Sequence, residues 1–222
     1  MKFRIIWEYH YKNKLSTSFT SDWIREDAIL AILEDIENTG RAKSILTEDE
    51  TGNTWTKKEV KKLLAKIEEE PDELVLYFDG SFQKETQKAG LGIVLYYRLG
   101  KEKIRHRINA RIEQMESNNE AEYAALFYGL EQIEALKIRG KKIMIKGDSQ
   151  GLLMQLKGEW PCYEEYLTRW LDRIEAKISQ LNLLPVFEPI SRNENKEADK
   201  LASQAIQEII IESKQAMDSS DT

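Results

Sequence analysis

Four carboxylates stand at positions where a carboxylate is costly to keep. Asp79 closes the apolar run Leu74-Val75-Leu76-Tyr77-Phe78 and is followed by Gly80 and Ser81. Asp148 closes a second apolar stretch, within Lys146-Gly147-Asp148-Ser149. Adjacent central strands would bring these two acids together at their C-terminal edge, although Asp before Gly is also common in plain turns. Glu122 is more informative. It falls in the first turn of a helix opened by Ser117-Asn118-Asn119, and Ala125, Leu126 and Ile133 put it on the apolar face. An acid aimed at a core needs a partner or a metal ion. Its neighbour Glu120 shares a face with Glu131 and Glu134 and reads as solvated. Asp199 precedes Ala202 and Ile206 at helical spacing, although a first-turn acid also gains from the helix dipole.

Carboxylates gathered without clustered cysteines or an available histidine favour a hard cation with oxygen ligands, Mg²⁺ or Mn²⁺. Two such ions about 3.5–4 Å apart can activate a water and steady the leaving oxygen in phosphodiester cleavage.

The elements that would position these acids follow from pattern. Residues 74–78, 91–97 and 104–112 read as strands, the first of them apolar on both faces as a central strand is. Turns fall around Thr86-Gln87 and Gly100. A long helix follows over residues 119–138, then a strand at 141–146, helices at 151–156 and 163–181, a strand at 185–190 and a last helix at 194–213. That order predicts an α/β fold, a mixed five-stranded sheet flanked by helices. Residues 214–222 are expected to be a flexible tail.

The chain divides at Pro71, after Glu68-Glu69-Glu70. Residues 1–70 read as a small α+β domain, and residues 71–213 as the acid-bearing one. In the first, strands are expected at 3–9, 15–20 and 42–47, with a turn at Asn13-Lys14. A helix should run from Ser21-Asp22 to Thr39, with Ile24, Ala28, Ala31, Ile32 and Ile36 on one face, and end at Gly40. Thr56-Lys57-Lys58-Glu59 is a capping box opening a lysine-rich helix.

Composition narrows the partners. The 222 residues are 41% hydrophobic and carry a net charge of −6. That balance argues against indiscriminate DNA binding and fits a site whose acids are neutralised by metal. The single cysteine, Cys162, excludes an intrachain disulfide and a multi-cysteine zinc site. No apolar run approaches the ~20 residues that span a bilayer, so the expectation is a cytoplasmic protein without a membrane or an obligate protein partner.

The blocks Tyr77-Phe78-Asp79-Gly80-Ser81, Ser117-Asn118-Asn119-Glu120-Ala121-Glu122-Tyr123, Gly147-Asp148-Ser149-Gln150 and Asn195-Lys196-Glu197-Ala198-Asp199-Lys200-Leu201-Ala202 resemble those of the type 1 ribonuclease H family. They occur in its order and near its spacings over about residues 72–212, closest to a compact branch of the family. The resemblance implies hydrolysis of RNA paired with DNA, leaving a 3′-hydroxyl and a 5′-phosphate, with Mg²⁺ or Mn²⁺ as cofactor and the RNA/DNA hybrid as partner. It implies Asp79, Glu122, Asp148 and Asp199 as metal-binding catalytic acids. It also implies Gly80, Ser81, Asn118, Asn119 and Gln150 as substrate contacts, the amides facing a minor groove lined by 2′-hydroxyls.

Two departures bear on activity. Many members carry a histidine upstream of the last acid, where this chain has Phe187-Glu188-Pro189-Ile190-Ser191-Arg192; its histidines, His10 and His106, lie elsewhere. Residues 159–172 also lack the basic character of the helix with which some members grip substrate, and Trp160 and Trp170 read as packing residues. Lys57, Lys58, Lys61, Lys62 and Lys66, with Trp7, Trp23 and Trp55, could supply a grip from the N-terminal unit or form only a solvated face. The competing readings are a silent hybrid-binding protein, a related nuclease acting on DNA, and a protein-interaction module.

Overall fold

Alternation of apolar and polar residues along Lys2–Tyr11 (β1) sends Phe3 and Ile5 to one face of a small sheet, where both are fully buried. This is a computed structural model, and it describes residues 1–11 and 15–217. The turn expected at Asn13-Lys14 and residues 218–222 lie outside the described residues. The chain divides into two compact units, Met1–Glu69 and Glu70–Thr222.

In the first unit β1 pairs antiparallel with Leu15–Thr20 (β2), with Ile24–Arg25 (β3) and with Ala42–Asp49 (β4), and Thr54–Trp55 (β5) extends β4. Two helices, Glu26–Asn38 (α1) and Lys57–Glu69 (α2), cover one face, and Ile29, Leu33 and Val60 close the core over Phe3 and Ile5. The capping box forms: the Thr56 amide donates to Glu59 Oε2 at 2.8 Å and the Glu59 amide to Thr56 Oγ1 at 3.4 Å. Gly40 follows α1 at φ +63°.

The start of α1 corrects the sequence expectation. Ser21 does not open a helix; its Oγ accepts from the Ile5 amide at 2.8 Å and its own amide donates to Ile5 O at 2.9 Å. The chain therefore stays extended through Ile24 and turns helical at Glu26. The fully buried residues are Ile29 and Leu33; of the expected face, Ile24 and Ile36 pack beside them partly buried, whereas Ala31 and Ile32 are exposed.

Asp49 locks the β4–β5 turn. Its buried carboxylate accepts from Thr51 Oγ1, the Thr51 and Asn53 amides, Asn53 Nδ2 and Trp55 Nε1. The Thr51 hydroxyl, against the opposing cost of burial, and then Trp55 and Asn53 hold the acid well below the usual carboxylate range.

The second unit is built on Asp72–Gln83 (β6), Lys88–Leu99 (β7), Glu102–Glu113 (β8), Lys142–Gly147 (β9), Leu184–Pro189 (β10) and Glu212–Met217 (β11), in the spatial order β10-β9-β6-β7-β8-β11. β9 is parallel to both its neighbours and the other pairs are antiparallel. Asn118–Ala135 (α3), Gln150–Leu156 (α4) and Glu165–Gln180 (α5) contribute to the main core with Leu76, Phe78, Ile93 and Ile145. Lys196–Ile206 (α6) packs on the opposite face through Ala198 and Leu201 against Val94.

The sheet is mixed, as expected, but it has six strands rather than five. The last helix stops at Ile206, not at residue 213, and part of the expected flexible tail becomes β11. Glu208 takes φ +65°, which breaks the helix. Buried Asn109 then ties down the returning chain: its Nδ2 donates to Leu201 O and Ile209 O, and its Oδ1 accepts from the Ile211 amide at 2.7 Å. Nothing in a run of isoleucines announces that turn.

Because its pKa is depressed on folding, Asp49 stabilises the native state fully above the unfolded value and ever less as pH falls through the folded one. The N-terminal unit should therefore lose melting temperature below about pH 4, and Asp49→Asn should lower it at pH 7 and remove that acid dependence. Thermal unfolding of both proteins across pH checks this; an Asp49→Asn chain that melts like the parent would refute it.

Candidate active site

β9 ends at Gly147 while β6 runs on to Gln83, and the last β6–β9 pair is Tyr77↔Lys146. One step further along each strand puts Phe78 against Gly147, where a Cβ would collide with the Phe78 ring. The next step leaves Asp79 beside Asp148 at the point where β9 leaves the sheet. Asp79 is paired with Gly92 on β7. An added Cβ at Gly92 would run into the Ala198 carbonyl of α6, so α6 lies directly on this face and delivers Asp199 to it.

Glu122 arrives from the other face. Ser117 caps α3, its Oγ accepting from the Glu120 amide at 3.1 Å. At Gly80 a Cβ would overlap the Ala121 backbone, so the missing side chain lets α3 lie against β6. The Gly80 amide donates to Glu122 Oε2 at 3.3 Å. Glu120 is not the solvated residue its spacing suggests: it accepts from the Glu116 amide at 2.7 Å and from Trp170 Nε1 at 3.0 Å.

Asp79 and Glu122 are 5% and 8% exposed, and these two numbers set the electrostatics. Burial first, then the charges of Glu122, Asp148 and Asp199, push Asp79 up to about 9. Burial and Asp148 push Glu122 up to about 8, against the opposing pull of the Gly80 amide and Arg192. Two groups not assigned a role from sequence temper this crowding. Buried Asn195 donates from Nδ2 to Asp148 Oδ1 at 2.7 Å and to Phe78 O at 2.9 Å, fixing Asp148 to β6. Arg192 Nη2 bridges to Asp199 Oδ1 at 3.3 Å. Asn195 lies within a motif block, so position was a signal for it; Arg192 had none beyond standing seven residues before Asp199.

The expected substrate contacts divide. Asn119 and Gln150 line, with Glu122 and Asp148, a cleft of about 380 Å³. Asn118 is exposed in the first turn of α3. Ser81 lines a different hollow, with Ser203 and Gln207 of the α6 region. Gly80 is buried and serves the α3 contact. His106 is buried in β8, and His10 lies in β1 of the first unit. Trp170 packs edge-on to Phe127 at 5.8 Å, as expected of a packing residue, whereas Trp160 is exposed.

Among the described residues no three His, Cys, Asp or Glu side chains converge as a closed metal shell would. The donor set is nonetheless all oxygen and short of positive charge, with Asp79 and Glu122 buried and Asp148 and Asp199 half-buried. That suits Mg²⁺ or Mn²⁺, which bind through one or two carboxylates and complete their shells with water and phosphate.

This mixed sheet, with four antiparallel strands, β9 and β10 parallel at one side, an acid on central β6 and another just beyond β9, has the ribonuclease H fold. Residues 77–205 match the reverse transcriptase-like family. The chain is 41% identical over 219 residues to the uncharacterized protein YpeP of Bacillus subtilis (strain 168), covering 98% of this chain and 96% of that one. It superposes on ribonuclease H1 from Halobacterium salinarum NRC-1 at TM-score 0.52 and 27% identity, over 61% of this chain and 98% of that one. It also superposes on LC11-RNase H1 in complex with an RNA/DNA hybrid at TM-score 0.53 and 26% identity, over 61% and 98%. The chain belongs to the reverse transcriptase-like family, and within it to the type 1 ribonucleases H. No helix among the described residues is long and apolar enough to cross a membrane.

Acids whose pKa values are raised on folding keep protons that the unfolded chain releases near pH 4, so stability falls as pH rises toward them. In metal-free buffer the melting temperature should drop between about pH 5 and 8, and Mg²⁺ should reverse the drop. Asp148→Asn, which retains an acceptor for Asn195, should raise the metal-free value at pH 8 by about 2–4 °C, equivalent to about 1 kcal/mol. A pH-independent wild-type melt would contradict the crowding. Gly80→Ala should destabilise the fold by about 1–3 kcal/mol through overpacking against α3, measured by denaturant unfolding.

Proposed function

We propose that this protein is a cytoplasmic, metal-dependent endonuclease that hydrolyses the RNA strand of RNA/DNA hybrids. The observation that carries the reading is the crowding of the buried carboxyl groups of Asp79 and Glu122 beside Asp148 and within reach of Asp199. A site this short of cations is matched to divalent ions brought in with a phosphodiester. The family relation, and a hybrid bound by a structural relative, favour the hybrid as substrate.

Asp79, Glu122, Asp148 and Asp199 would hold two ions. When bound, these lower the pKa of the attacking water and stabilise charge on the scissile phosphate and the leaving oxygen. The chain's own groups set the geometry. Asn195 fixes the direction of Asp148, and the Gly80 amide that of Glu122. Asn119 and Gln150, at the cleft beside the acids, would exchange hydrogen bonds with 2′-hydroxyls, while Asn118, Ser81 and Gly80 would contact the hybrid further out or through backbone. Water adds to phosphorus and the bond to the 3′ oxygen breaks, leaving a 3′-hydroxyl and a 5′-phosphate.

Incubation of the purified chain with a labelled hybrid in Mg²⁺ or Mn²⁺ should release RNA fragments. Asp148→Asn should reduce the rate at least about 1,000-fold, as removal of one member of a catalytic unit does. Hybrid binding with no cleavage in either metal would instead make the chain a silent binder, and preferential cutting of duplex DNA would move it to another nuclease class.

A further inference from the structure

The first unit holds a cleft of about 560 Å³ between the start of α2, the end of α1 and the outer edge of β4. Lys43, Lys57, Lys58 and Lys61 line it, and Glu37 is its one carboxylate. Glu37 is committed to Lys57, at 2.6 Å, and Lys43 reaches Glu8 at 3.6 Å. Lys58 and Lys61 are exposed and have no ion-pair partner among the described residues.

Two features set this apart from an ordinary solvated lysine face. Lys57 and Lys58 occupy the first turn of α2, where the helix dipole disfavours cations, so their placement works against stability. The cleft floor is also a strand edge. β5 covers β4 only at Thr47 and Glu48, so along residues 42–46 no strand among the described residues flanks β4 on that side. Lysine ammonium groups facing an uncovered backbone edge, in a chain of net charge −6, make a local site for a polyanion. The volume exceeds what one buried ion needs, and four of the nine residues around it are lysines, whose alkyl stems form walls beneath charged ends.

We propose that this cleft binds the phosphodiester backbone of nucleic acid, as a contact separate from the acid site. The inference rests on nucleic acid being the substrate but not on its being cleaved. Each lysine that neutralises a phosphate releases condensed counterions and steepens the dependence of binding on salt.

The test is binding of a long RNA/DNA hybrid to the full chain carrying Asp148→Asn, titrated over a range of salt. Adding Lys58→Ala and Lys61→Ala should make the slope of log K against log salt shallower by about 2, at about 0.9 per phosphate contact. Lys58→Arg with Lys61→Arg should keep the parent slope, and Lys62→Ala with Lys66→Ala, outside the cleft, should change it less. An unchanged slope in the alanine variant overturns the proposal, as does an equal loss from the Lys62 and Lys66 pair or the absence of measurable hybrid binding. Inorganic phosphate or a mononucleotide binding at the cleft, with the hybrid slope unaffected, would also overturn it by making the cleft a small-molecule site. If wild-type protein fails to cleave while the slope falls as expected, the catalytic reading fails and this one stands.

Discussion

Mutual repulsion among four carboxylates is the constraint around which the second unit is arranged. Left to themselves, such groups separate or fill with protons, so the scaffold has to hold them from several directions. β6 carries Asp79 in its middle, with β7 along one edge and α3 and α6 on opposite faces. Both helices reach the strands only because Gly80 and Gly92 lack side chains. The early exit of β9 then opens the sheet beside Asp79 and turns Asp148 into the gap. Phe78, Ile93 and Ile145, buried close to these acids, are part of what keeps the arrangement from relaxing.

That repulsion is answered inside the chain by three partial measures. Asp79 and Glu122 have raised affinity for protons, Arg192 approaches Asp199, and Asn195 donates to Asp148. The protons neutralise the buried pair near neutral pH, whereas Arg192 and Asn195 only temper Asp199 and Asp148. Arg192 is exposed and can swing away, so its bridge is weak. A divalent cation is the stronger answer, and the protons are displaced when one binds, which makes its affinity rise with pH. Under the proposed function, the same reasoning would reconcile an acidic chain with a polyanionic substrate: the carboxylates would repel phosphate only until metal bridged the two.

The most legible acid was Glu122, because an acid on an apolar helix face can be read from periodicity alone, and it is indeed buried. Asp79 and Asp148 were legible as a pair once their strands were recognised as central. What stayed hidden depends on contacts distant in sequence. The break at Glu208 needs Asn109, nearly a hundred residues away, to hold the chain that follows. Ser21 looks like a cap until β1 claims it. Glu120 shares a heptad-like spacing with exposed acids, yet Trp170 on α5 covers it. Gly80, in a motif block, reads as a substrate contact, and its closeness to Ala121 adds a packing requirement that sequence does not separate from a functional one.

If both proposals hold, the two units divide electrostatic labour. A site that collects negative charge repels phosphate nearby, and at physiological salt that repulsion reaches only about 8 Å. Lysines placed among the catalytic acids would pair with them, as Arg192 does, and compete for the positions a metal needs. Lysines on a separate scaffold escape that neutralisation. α2 fits the requirement: its box residue Glu59 is spent on Thr56, and the cleft beside it has a single carboxylate. A chain lacking a basic helix within its catalytic unit can thus remain acidic overall and still engage nucleic acid, provided attraction and hydrolysis are kept on different surfaces.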